Sequence, residues 1–247
     1  MKVEQVQISE KFRSIQGEGI LAGLDTYFIR FQKCRVGCKW CDTKYSWKNR
    51  PDLNVKVYDL IIEIVRDIPR TCGICFTGGE PMEYIQSLSW LLNKLHIHEY
   101  AKLSVETAGV VQYVNNAPVF PDQKDVFDLL DNDVFLSISP KLSSALGNRF
   151  TYEGFSKIIK FWDSAIDSSY KAQFKFVVST QDDLENIKKF FSENKVNHYL
   201  FLQLENSVVE HRDYEPNALL LKNCIDAVRI IENSRLTVQQ HKIIGLQ

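Results

Sequence analysis

Residues 26–42 read TYFIRFQKCRVGCKWCD, an apolar run that leads directly into three cysteines. The β-branched and aromatic residues of 26–32 predict a strand. Cys34, Cys38 and Cys41 follow it with the spacing C-x3-C-x2-C. Three thiols so close in sequence can meet at one centre only from a tight loop, and Gly37 supplies the backbone freedom for one. A strand that empties into a loop of metal-ligating residues is the element to look for elsewhere.

The pattern repeats along the chain. Further strands are predicted at 73–76, 102–106, 133–137, 172–178 and 198–204. Helical periodicity lies between them: Val57, Leu60, Ile61, Ile64, Val65 and Ile68 recur at i, i+3, i+4, and 88–95, 184–191 and 219–231 behave alike. Alternating strands and helices imply a parallel sheet, because each crossover needs a dozen or more residues. The expected fold is therefore α/β, with about six mostly parallel strands in an open sheet or a partial (β/α) barrel. Polar clusters follow the predicted strands directly, at 34–42, 77–81, 107–109, 139–141 and 203–206, where parallel architectures build their sites. One rim carrying five such clusters points to an enzyme rather than a plain binding domain.

Composition narrows the classes. The 247 residues are 45% hydrophobic and 25% charged, as in an ordinary globular protein, with no repeat or low-complexity tract. Thirty basic residues against 31 acidic ones leave no field that would attract nucleic acid. No apolar stretch is long enough to span a bilayer and no leader opens the chain, so a cytoplasmic protein without a membrane partner is expected. Its six cysteines then read as thiols rather than disulfides.

Cys72, Cys75 and Cys224 sit in apolar contexts and read as core packing. A closed zinc site wants four ligands, and three thiols leave it incomplete unless a distant histidine or carboxylate joins. A [4Fe–4S] cluster held by three cysteines keeps one iron open. This spacing resembles the radical S-adenosylmethionine superfamily, in which that iron chelates the cofactor's amino and carboxylate groups. Thr77-Gly78-Gly79-Glu80-Pro81, after the second predicted strand, resembles the superfamily's GGE motif. Its glycines allow close backbone approach, and Glu80 can accept charge-assisted hydrogen bonds from an ammonium.

The flanking motifs are more selective. Ser14-Ile15-Gln16-Gly17-Glu18-Gly19, Tyr27-Phe28-Ile29-Arg30-Phe31, Trp40-Cys41-Asp42-Thr43, Glu106-Thr107-Ala108-Gly109, Ser139-Pro140-Lys141, Lys175-Phe176-Val177-Val178 and Gln239-Gln240-His241-Lys242 occur in one order. Together they resemble the 7-carboxy-7-deazaguanine synthase family, from about residue 8 to the C-terminus. The resemblance implies a modified, partial (β/α) barrel, 1–247 as one domain, with an N-terminal substrate segment and a C-terminal tail closing the site. It implies a homodimer, a [4Fe–4S] cluster, S-adenosyl-L-methionine and Mg2+. The implied reaction is ring contraction of 6-carboxy-5,6,7,8-tetrahydropterin to 7-carboxy-7-deazaguanine with loss of ammonia, in queuosine-type 7-deazapurine biosynthesis. The adenosyl radical takes the hydrogen at substrate C6 and the product radical recovers it. A flavodoxin or ferredoxin-type reductant is the family's expected partner.

On that resemblance, Cys34, Cys38 and Cys41 hold the cluster and Thr43 offers magnesium a hard oxygen. Trp40, Asp42, Gly78, Gly79, Glu80, Gly109, Ser139, Lys141, Gln203 and Asn206 would line the cofactor. Ile15, Gln16, Gly17, Glu18, Arg30, Thr107 and His241 would meet the substrate. The residues themselves leave alternatives. Arg30 shares a strand face with Phe28 and needs an anion, either a substrate carboxylate or a barrel acid such as Glu106. Residues 16–18 could be a solvated turn, and His241 an ordinary tail residue. The sequence reads QLEN at 203–206 where many family members carry a proline. A glycyl-radical enzyme activase and a zinc-stabilised nucleotide-binding module are the competing functional readings.

Overall fold

The computed structural model describes residues 5–168 and 171–246. The last residue of the expected tail, Gln247, and the first four residues of the 1–247 span lie outside them. Eleven strands occur among the described residues: β1 (Gln5–Ile15), β2 (Asp25–Phe31), β3 (Asn54–Lys56), β4 (Gly73–Gly78), β5 (Lys102–Thr107), β6 (Gln112–Val114), β7 (Ala117–Val119), β8 (Val134–Ile138), β9 (Ala172–Val178), β10 (Tyr199–Leu204) and β11 (Ser234–Thr237). The helices are α1 (Val57–Asp67), α2 (Ile85–His96), α3 (Gln123–Leu130), α4 (Ser143–Leu146), α5 (Tyr152–Ala165), α6 (Gln181–Glu193), α7 (Asn206–Glu210), α8 (Glu215–Ile230) and α9 (Gln240–Ile243).

Nine strands form one sheet in the order β11-β10-β9-β8-β5-β4-β2-β1-β3, and β6 with β7 makes a separate hairpin. From β2 to β11 every neighbouring pair is parallel. All six expected strands are present, within two residues at each end. Three of the sheet's strands were not expected. β1 reads QVQISEKFRSI, whose charged residues mask its period, and it pairs antiparallel with β2 and β3. β3 and β11 are edge strands of three and four residues, too short for a period to register.

Alternation along the strands separates two faces. One buries Ile29, Phe31, Ile74, Phe76, Val105, Leu136, Phe174, Phe176 and Leu202 under the helices. In α1 the residues that pack there are Val57, Leu60, Ile61 and Ile64, as the period predicts. The other face carries polar side chains, among them one from each central strand: Arg30, Thr77, Glu106, Ser137, Lys175 and Gln203. All six line a single cavity of about 270 Å³. In a flat sheet the strands from β2 to β10 would spread across about 24 Å. Their convergence on one cavity requires the sheet to curl, and this is the partial barrel that the fold class expects. Its two edge strands are not paired with each other.

Candidate active site

The cysteine loop leaves β2 and is gripped from the far side of the cavity. Arg149 donates Nη1 to the Val36 carbonyl at 2.7 Å and Nη2 to the Gly37 carbonyl. The Lys39 amide donates to Ala145 at 2.9 Å, and Trp40 Nε1 reaches Ser144 Oγ at 3.2 Å. Gly37 adopts φ +64°, the left-handed turn this tight loop needs. The grip is itself anchored, because Asp183 at the start of α6 accepts from Ser143 Oγ and the Ser144 amide. All three thiols line the cavity, Cys38 buried and Cys34 and Cys41 half-buried. Burial, with Glu80 nearby, pushes the Cys34 thiol up to about 12. Burial also raises Cys38, against the pull of the Lys141 ammonium. Thr43 Oγ1 lies 3.5 Å from Cys41 Sγ.

The turn after β4 is stitched onto this loop: the Gly79 amide donates to Phe31 and the Glu80 amide to Lys33, at 2.9 and 2.8 Å. Glu80 is 2% exposed. Its carboxylate accepts from the Met82 amide at 3.0 Å, the Ala108 amide at 2.8 Å and the Thr107 hydroxyl. These are neutral donors, and burial outweighs them and the more distant Lys141, raising Glu80 to about 7. Lys141 Nζ bonds Ser139 Oγ at 3.1 Å, and both face the cavity.

The opposite end is built around Glu18. It receives Lys175 Nζ, Gln239 Nε2 at 2.7 Å and Gln203 Nε2 at 3.3 Å. Glu18 and Lys175 are both about nine-tenths buried. Burial opposes both charges, but the ammonium and carboxylate hold Glu18 below, and Lys175 above, the ordinary range. The tail closes over this pair. The Gln240 amide donates to Gly17 O at 3.0 Å, and a Cβ on Gly17 would collide with the His241 ring. Burial lowers the His241 pKa, with Glu18 opposing. Lys242 Nζ then reaches Asp42 at 2.8 Å, tying the tail to the cysteine loop. Between the two ends Glu106 accepts from Gln16 at 2.9 Å and from Thr77 at 3.1 Å.

Most of the expected site residues come together here. Ile15, Gln16, Gly17, Glu18, Arg30, Trp40, Asp42, Thr43, Gly78, Gly79, Glu80, Thr107, Ser139, Lys141, Gln203 and His241 line the same cavity as the thiols. Gly109 sits behind the lining, its carbonyl taken by Trp162 Nε1 at 2.8 Å. Asn206 does not join, because its amide donates to Glu210 at 2.6 Å on the exposed start of α7. Residues 16–18 are no solvated turn, since Gln16 is 5% exposed. The barrel acid beside Arg30 is Glu10, not Glu106: the antiparallel register sets Glu10 opposite Arg30, and Arg30 Nε donates to it at 2.6 Å. Cys72, Cys75 and Cys224 are fully buried outside the cavity lining. Lys175 was missed as a site residue, although a lone charge in AQFKFVV carries the same signal as Arg30 in TYFIRF.

Cys34, Cys38 and Cys41 are the three cysteines that line this cavity among the described residues, and three is the number of thiols that leaves one iron of a [4Fe–4S] cluster open. Among the described residues no three or more His, Cys, Asp or Glu side chains form a single-ion site.

Residues 15–151 match the family model described as a 4Fe-4S single cluster domain. The chain is 31% identical over 190 residues to the 7-carboxy-7-deazaguanine synthase of Pyrobaculum aerophilum, covering 75% of this chain and 72% of the relative. It is 29% identical to the synthase of Methanospirillum hungatei, over 98% of this chain and 86% of that one. Against the crystal structure of QueE from Escherichia coli the TM-score is 0.64 at 23% identity, with 96% and 95% of the two chains covered. That last likeness concerns the fold.

Proposed function

The chain belongs to the 7-carboxy-7-deazaguanine synthases, built on a 4Fe-4S single cluster domain, and we propose how its residues divide that work. The enzyme is a carbon–nitrogen lyase of the radical S-adenosylmethionine type. It converts 6-carboxy-5,6,7,8-tetrahydropterin to 7-carboxy-7-deazaguanine in queuosine-type biosynthesis. Neither the glycyl-radical activase nor the zinc-stabilised module is needed to account for the chain.

The observation that carries the division of labour is that one cavity has two unlike ends. At the first, Cys34, Cys38 and Cys41 would hold the cluster. When bound, the cluster supplies one low-potential electron to the sulfonium of S-adenosylmethionine. Glu80 would take the cofactor's ammonium, with Gly78 and Gly79 letting the backbone approach it. Trp40, Asp42, Ser139 and Lys141 would line its remainder, and Gly109 would support them from behind. At the second end, Gln16, Gly17 and Glu18 offer amide and carboxylate edges to the aminopyrimidinone ring, Thr107 and Ile15 flank it, and His241 closes over it.

Arg30 stands between these ends. Its Nε is fixed by Glu10, so the guanidinium is oriented before anything binds. A substrate carboxylate would give it a bidentate partner, and Thr43 would share that anion through Mg2+. Correct placement of substrate C6 then decides whether hydrogen transfer occurs. A homodimer, a cytoplasmic location and a flavodoxin or ferredoxin-type donor complete the reading. No described helix is long and apolar enough to cross a membrane.

The deciding experiment is anaerobic turnover of the carboxylated tetrahydropterin and its decarboxylated analogue, with and without magnesium, in wild type and Arg30→Lys. Magnesium-stimulated turnover confined to the carboxylated compound, and lost in the variant, is expected. No deazaguanine product from wild type would defeat the functional reading. Equal stimulation of both compounds would defeat the carboxylate clamp alone.

A further inference from the structure

We propose that an acidic one-electron carrier protein docks outside the cysteine loop and delivers its electron past Cys34. This rests on the cluster reading of that loop given above and names where the electron enters. Residues 33–50 hold six basic residues and one acidic residue, leaving 24 basic and 30 acidic residues elsewhere. A nearly neutral chain thus concentrates positive charge on the segment that carries the thiols. Little of that charge is cancelled within the fold. Arg35 pairs with Glu83 and Arg50 with Asp52, while the segment's one acid, Asp42, is taken by Lys242. Lys33, Lys39, Lys44 and Lys48 have no ion-pair partner among the described residues, and all but Lys33 are exposed.

These cations flank a groove that reaches the site from outside. Lys33, Arg35 and Tyr84 line it together with Cys34 and Trp47, and the last two also line the interior cavity. Cys34 and Trp47 therefore stand between groove and cavity. Lys33 Nζ lies 5.7 Å from the Tyr84 ring centre and Lys44 Nζ 5.9 Å from that of Trp47, with Lys48 next in the chain. Electron transfer falls off steeply with distance, so a carrier must bring its cofactor against a cluster ligand, and this groove offers one. Opposite charge speeds the encounter and fixes its orientation, which makes the fitting carrier acidic. Nucleic acid is also anionic, but nothing in it calls for a thiol at the floor of its site. One electron leaves the carrier and takes the cluster from [4Fe–4S]2+ to [4Fe–4S]+. In a flavodoxin the anionic hydroquinone becomes the neutral semiquinone, and no proton or bond moves.

The test uses the cluster-loaded enzyme under anaerobic conditions, with a flavodoxin hydroquinone, a reduced [2Fe–2S] ferredoxin and dithionite as reductants. Cluster reduction is followed by absorbance, and carrier affinity by titration calorimetry. At least one carrier should reduce wild type, at a rate that falls with added salt. Lys44→Glu combined with Lys48→Glu should weaken that carrier's binding and slow its reduction of the cluster about tenfold or more at low salt. Dithionite reduction and iron content should be unchanged. Glutamine at both positions should give a smaller loss and covers a poorly folding glutamate variant. Lys222→Glu, on α8 beside the β11 edge of the sheet, should change nothing. An equal loss in Lys222→Glu, or equal slowing with dithionite, would overturn the proposal. So would a wild-type cluster that dithionite reduces and neither carrier does, or transfer RNA binding lost in the double variants while carrier reduction is kept. Failure of wild type to assemble a cluster would instead count against the functional reading beneath it.

Discussion

Glu80 and Glu18 are buried carboxylates on one cavity, and their surroundings push them in opposite directions. Glu80 is met by two backbone amides and a hydroxyl, Glu18 by an ammonium and two side-chain amides. Neutral dipoles satisfy a carboxylate's hydrogen bonds without cancelling its charge, so burial wins at Glu80. A paired cation cancels the charge, so ionisation wins at Glu18. The difference separates two tasks. Glu80 is an acceptor still lacking a cation and suits the capture of one, whereas Glu18 is already neutralised and suits fixed hydrogen-bond geometry.

The strongest way to break the comparison is to remove what the Glu80 end serves. Cys38→Ala should abolish turnover and impair cluster assembly, read as iron and sulfide content. Binding of 6-carboxypterin at the Glu18 end should persist, and full activity in this variant would sink the cluster assignment. Next in size is Lys175→Met, which strands a buried anion and should cost about 3–5 kcal/mol in denaturant unfolding. A loss below about 1 kcal/mol would mean that Glu18 is solvated.

Glu80→Gln keeps the shape and removes the charge. It should weaken S-adenosylmethionine binding by about 10- to 150-fold, the worth of a charged hydrogen bond, without lowering iron content. The same group predicts a pH dependence. If Glu80 takes the cofactor's ammonium as proposed, only its anion can pair, so wild-type affinity should fall as pH drops below about 7 and the variant's should not. The two acids also tilt stability in opposite senses. Glu80 is raised from its ordinary 4.5, so its contribution worsens as pH rises from 4.5 to about 7. Glu18 is lowered, so its contribution is present above 4.5 and lost as pH falls. Thermal melts from about pH 2 to 7, with Glu80→Gln removing the slope above 4.5 and Glu18 giving the slope below it, would check both signs. The smallest effect is expected at the Lys242–Asp42 pair that ties the tail down, part exposed and worth under about 1 kcal/mol. Lys242→Ala should leave unfolding almost unchanged, and a large loss would show that the tail carries more of the fold than its contacts suggest.

Much of this was legible in the chain because local patterns carry it. Six central strands and their helices announce themselves by period, since each must bury one face. C-x3-C-x2-C and TGGEP announce themselves because a tight loop of three thiols and a turn packed onto it by its glycines tolerate few residue types. The strand β1 was hidden because its side chains serve neighbours from outside its own window. Lys11 pairs with Glu63, Arg13 with Asp25, and Glu10 with Arg30. Those charges break the alternation by which a strand is recognised.

The sequence by itself determined the α/β class, the rim on which the candidate site lies, the three-cysteine loop that opens it and most of the residues that line the cavity. Only the tertiary structure decided how those residues are paired. Glu10 rather than Glu106 faces Arg30 because antiparallel register sets it there, and Glu18 meets Lys175 because the curled sheet brings positions 157 residues apart to one point. Whether a buried carboxylate is charged depends on such partners, and no local window of sequence contains them.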